Sequence, residues 1–147
     1  MSCAEFAAIL GEAAERAAML SAPTEEFMEV VKVKAQAVIG TYAYGWPELA
    51  DYTKEHGNPG NTPLLREGGL RGSIEKMALP TGLGAEGLVY SGEKKALWAE
   101  MGTLGGASGG GWGGPEPARS FLMQSLIRSE PAMGAIFGRF AEQLFVR

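Results

Sequence analysis

The chain of 147 residues has one cysteine, one histidine and no long apolar run. A lone thiol, Cys3, cannot close an internal disulfide, and such sparse cysteine use favours an intracellular origin. A lone imidazole, His56, excludes the multi-histidine metal sites. No apolar stretch approaches the ~20 residues that span a bilayer. Glu5, Glu12 and Glu15 stand where a signal peptide would be basic and then continuously apolar, so no leader is expected. Excess positive charge is missing as well: 13 Lys and Arg against 17 Asp and Glu leave a net charge of −4. That balance argues against a protein that wraps duplex DNA, which needs clustered cations. Glycine is what the chain has in excess, 22 residues, about twice the usual share. More than half of them fall between Gly82 and Gly114, so the middle of the chain is pliant and both ends are comparatively rigid.

Length alone implies one domain, large enough to bury a core without disulfides or metal. Phe6, Ile9, Leu10, Ala13, Ala17 and Leu20 recur at helical spacing and predict an amphipathic helix over residues 3–20. Pro23 is expected to break it, with Thr24 as the N-cap of a second helix running to Ile39 and Gly40 as its stop. Phe27, Val31 and Val38 form the apolar stripe of that second helix. A short helix is expected from Pro47 to His56. Thr62 and Pro63 can open a helical turn, with Leu64, Leu65 and Leu70 as buried residues. The runs "IEKMAL" and "EGLVYS", separated by "PTGLG", predict a β-hairpin, and "EKKALWAEMG" predicts a helix after it. Residues 102–117 cannot hold regular structure by themselves, although the order of elements leaves room for a third strand near them. Helical periodicity resumes at "ARSFLMQSLIR". It restarts after Ser129, the expected N-cap, with Met133, Ile136, Phe137, Phe140 and Leu144 as the stripe. The fold class is therefore α+β, a small antiparallel sheet packed with N-terminal helices and a C-terminal helix. Within the single domain 1–147, residues 1–40 form the helical part, 46–101 the α+β core, 102–117 the glycine-rich loop and 118–147 the closing helices.

Candidate chemistry is sparse. Gly109, Gly111 and Gly114 match G-x-G-x-x-G, but a dinucleotide site needs that motif between a strand and a helix. Here Pro115 and Pro117 follow, and the glycine bias of the tract accounts for the match. No G-K-[ST] follows a glycine loop. His56 with Asp51 and Glu55 lacks an accompanying nucleophile and reads as a surface loop group. Glu48, Asp51 and Glu55 read as a solvated helix face, since no oxygen-ligand loop accompanies them. Arg66, Arg71, Lys76, Lys94, Lys95, Arg119 and Arg128, with Tyr90, Trp98 and Trp112, form a loose basic and aromatic set. They support a second reading as a nucleic-acid-binding module, though no RNP, KH or helix-turn-helix pattern accompanies them. Trp112, set among glycines, either folds onto the core or anchors on a partner.

Three quoted stretches carry a resemblance: "GWPELADYTKEHGNPGNTPLLREGGLRGSI", "VYSGEKKALWAEMGT" and "PARSFL", in that order. They resemble the tail-completion and head–tail joining proteins of tailed bacteriophages. The matching residues are Trp46, Pro47 and Leu49; Thr62 to Leu65, Gly68, Leu70, Arg71, Ser73 and Ile74; Ala99, Glu100, Gly102 and Thr103; and Pro117, Arg119, Phe121 and Leu122. They span about half of the chain, and the leucine–arginine segment is the most specific. The glycine tract stands where that family has a short linker.

The resemblance implies a structural virion protein with no catalytic residue, cofactor or metal. It would be a ring subunit of the phage neck, expected as a hexamer, that completes the tail and joins it to the head connector or stopper protein and the tail tube. DNA would pass through its lumen without sequence-specific contact, no membrane would be involved, and the ring would assemble in the bacterial host cytoplasm. Arg71, Trp98, Trp112, Arg119 and Phe121 are the expected partner-binding residues, Arg71 through a salt bridge within the ring. A chain lacking residues 105–114, and with them Trp112, is expected to fold normally yet fail to join heads to tails. Normal particle assembly by that deletion would refute the anchoring role.

Overall fold

A computed structural model describes residues 2–57, 60–82, 84–104 and 115–145. Among them are six helices and one two-stranded sheet: α1 (Cys3–Val38), α2 (Asp51–His56), α3 (Gly69–Gly72), β1 (Ile74–Thr81), β2 (Gly84–Ser91), α4 (Lys94–Met101), α5 (Leu122–Arg128) and α6 (Glu130–Phe145). The architecture is α+β with a small antiparallel sheet, as the periodicities predict.

The two expected N-terminal helices are one. α1 runs unbroken through Pro23 for 36 residues, about 54 Å at 1.5 Å per residue. Proline removes one backbone donor and crowds the preceding turn. Burial of Pro23 and its neighbours Thr24, Phe27 and Met28 holds the helix together across that defect. Thr24, read as an N-cap, turns its hydroxyl backward and donates to the Leu20 carbonyl at 2.8 Å. The true start is a capping box: the Glu5 amide donates to Ser2 Oγ at 3.2 Å, and the Ser2 amide donates to the Glu5 carboxylate at 2.6 Å.

α1 is the spine. It packs along both strands and against α3, α5 and α6. The strands pair from Ile74↔Ser91 to Thr81↔Gly84, so they extend into the segment expected to be a linker. Pro80 is accommodated because both strands of a two-stranded sheet are edges. Side chains alternate across the sheet: Ile74 is buried, while Glu75, Met77, Leu79, Glu86 and Leu88 face outward and are exposed. Lys76 spans the hairpin and the helix, with Nζ 3.2 Å from the carboxylates of both Glu25 and Glu29. Desolvation would lower its pKa, but hydrogen bonds to those two carboxylates outweigh it and hold the ammonium above the usual lysine range. Strand and helix approach closely at Gly87. A β-carbon there would stand 2.7 Å from Met28 Cγ and 2.9 Å from Thr24 Cγ2.

Two apolar clusters result. Phe27, Met28, Val31 and Ile136 tie α1 to α6, with Val89 and Phe137 half-buried beside them. The larger cluster comprises Ala35, Val38, Ile39, Trp46, Leu70, Ile74, Ala96, Ala99 and Phe121. Leu64 and Leu65, expected inside, pack half-buried on its rim. Pro63 is the fully buried residue of that turn, and Leu64 takes a left-handed conformation at φ 63°. In α6, Ile136 is buried, Phe137 and Phe140 are half-buried, and Met133 is exposed. Ser129 does not cap α6 with its hydroxyl, which donates to the Ser125 carbonyl at 2.6 Å.

Gly87→Val is expected to lower stability to urea by about 1–3 kcal/mol through overpacking against α1. An unchanged midpoint would show that the hairpin can lift from the helix without cost.

Candidate functional site

The residues that carry the phage-neck resemblance lie far apart in the chain, yet the fold collects them. Gly40 ends α1, and its amide donates to the Pro63 carbonyl at 2.7 Å, which brings the T-P-L-L turn under the helix terminus. Arg71 Nη2 donates to the Ile39 carbonyl, one of the acceptors left open where the helix stops. Gln36 of α1 donates in turn to the Arg71 carbonyl at 3.2 Å. Ser73, at the end of α3, donates to the Leu70 carbonyl at 2.8 Å and shares a hydroxyl hydrogen bond of 2.7 Å with Ser91 across the mouth of the hairpin. The segment from Thr62 to Ile74 is thus a buckle between α1 and the sheet.

A second buckle closes the other side. Arg119 is buried, and its guanidinium donates to the carbonyls of Pro47 at 3.2 and 3.3 Å and of Glu48 at 3.4 Å. Trp46 Nε1 donates to the Ser120 carbonyl at 3.2 Å. Glu100, near the end of α4, accepts from Ser120 Oγ at 2.6 Å, from the Phe121 amide at 2.7 Å and from the Leu122 amide. A carboxylate at this place satisfies otherwise unpaired donors at the start of α5 and meets the positive end of its dipole. Thr103 and Glu116 exchange backbone hydrogen bonds of 2.9 and 3.1 Å; this isolated antiparallel bridge is what stands where a third strand was anticipated. Gly102 makes it possible. At φ 71° it has a conformation that side chains disfavour, and a β-carbon would meet the Glu116 carbonyl and Ala118 amide at 2.8 Å.

The five expected contact residues therefore separate. Phe121 is wholly buried, Arg119 is buried and bonded to backbone, and Arg71 is half-buried and bonded to Ile39. These three are engaged within the chain, Arg71 through the Ile39 carbonyl. Trp98 is half-buried on α4. Trp112 lies outside the described residues. Arg119 and Phe121 are buried where "PARSFL" is irregular up to Phe121, not helical as expected, with the Arg119 amide donating to the Ala99 carbonyl at 2.6 Å.

Groups capable of chemistry do not converge. His56 is exposed and stacks on Tyr52 at 4.4 Å between ring centroids. Cys3 is exposed at the start of α1. Among the described residues no cluster of three or more His, Cys, Asp or Glu could hold a metal ion, and no helix is long and apolar enough to cross a membrane. A shallow hollow of about 280 Å³ lies between Lys34, Val38, Thr41 and Tyr44 and holds no acid–base pair. Beside it, Tyr44 shares a hydrogen bond of 2.8 Å with Ser125, and the Arg128 guanidinium stacks 4.6 Å from the centre of its ring. Residues that sequence reasoning left without a role, Tyr44, Gln36 and Ser125, are small parts of this lacing. The sequence carried a signal for one other, since S-x-x-E at residues 2–5 is a capping-box pattern.

Compared with family models, curated proteins and solved structures, the chain matches none.

Glu100→Ala leaves two amides and a hydroxyl without their acceptor and is expected to cost about 1–3 kcal/mol of unfolding free energy. Glu100→Gln, which keeps one accepting oxygen, should lose less. A Glu100→Ala chain as stable as the parent would mean that water caps α5 equally well.

Proposed function

We propose that the chain is a structural virion protein: a ring subunit of a tailed-phage neck that completes the tail and joins it to the head connector. The observation that carries this reading is the convergence of the resembling residues on one lacing around the end of α1. Most of them close a turn, cap a helix or fill the core. Such a set specifies a shape, which is what a ring subunit needs. The chain contacts copies of itself and the adjoining head and tail parts through its surface, and its function is carried by the placement of those surfaces.

Three further features support the reading. Large apolar side chains remain exposed, including Phe6, Ile9 and Leu10 on α1, Leu79 and Leu88 on the sheet, and Leu97 and Met101 on α4. Contiguous apolar patches of this kind mark interaction surfaces. The net charge of −4 per subunit makes a ring strongly acidic, so DNA passing through it is repelled from the wall and slides. Of the seven cations that suggested nucleic-acid binding, Arg71, Lys76, Arg119 and Arg128 have partners within the chain. A shared basic surface would fall mainly to Arg66, Lys94 and Lys95.

Particles assembled without this chain are expected as DNA-filled heads and separate tails that join when the purified chain is added back. Joined, infective particles in its absence would overturn the proposal. A chain that stays monomeric and binds DNA with affinity falling steeply in salt would favour the nucleic-acid reading instead.

A further inference from the structure

We draw no further inference here: the strongest candidate, the exposed apolar surface patch of Phe6, Ile9 and Leu10 on the first half of α1, carries nothing because nothing in the structure shows what covers it.

Discussion

Glu100 accepting hydrogen bonds at the first turn of α5 is the interaction on which the assembly of this fold depends. It joins two helices separated by the glycine-rich stretch and sets where α5 begins beside α4; Phe121 and Ile136 then hold the C-terminal third against α1. The carboxylate receives a hydroxyl and two amides, and its position is secured from both sides. On one side the Thr103–Glu116 bridge turns the chain back. On the other, Arg119 donates to the carbonyls of Pro47 and Glu48, and Trp46 donates to the carbonyl of Ser120. Phe121 follows directly and is driven into the core. A charged group so placed makes stronger hydrogen bonds than a neutral one.

Around this junction the molecule is organised as a single long helix with other elements laced to its second half. The consequence is asymmetric. The end of α1 is buried under the T-P-L-L turn, Arg71 and the larger cluster, whereas its beginning projects with its apolar face uncovered. Internal order and outward availability are therefore divided along one element. The same side-chain spacing that builds the core continues past the core's edge, where no other described residue buries it.

The set of residues resembling phage neck proteins acquires a physical meaning here. Arginine in the motifs is a donor to backbone carbonyls where a helix stops or a loop turns, a task suited to a planar group with several donors. Glycine at position 102 admits a close backbone approach. Leucine at position 70 and isoleucine at position 74 fill the core. In the proposed ring, contact with partners would fall to exposed surfaces such as those of α1, α4 and the sheet.

Local periodicity and turn chemistry in the sequence by themselves determined the α+β class, the hairpin, α4, α6 and the stop at Gly40, because each rests on neighbours within a few residues. They also determined that Phe27, Val31, Val38, Leu70 and Ile136 point inward. Only the tertiary structure decided that α1 crosses Pro23 unbroken, since burial around Thr24 and Met28 outweighs a lost hydrogen bond that local rules treat as a break. The same holds for the inward turn of Arg71, Arg119 and Phe121, whose partners lie 32 or more positions away or in the shared core. It holds also for the exposure of Phe6, Ile9 and Leu10, which have the same spacing as buried residues. Periodicity defines a face; whether anything meets that face is settled by where the rest of the chain ends up.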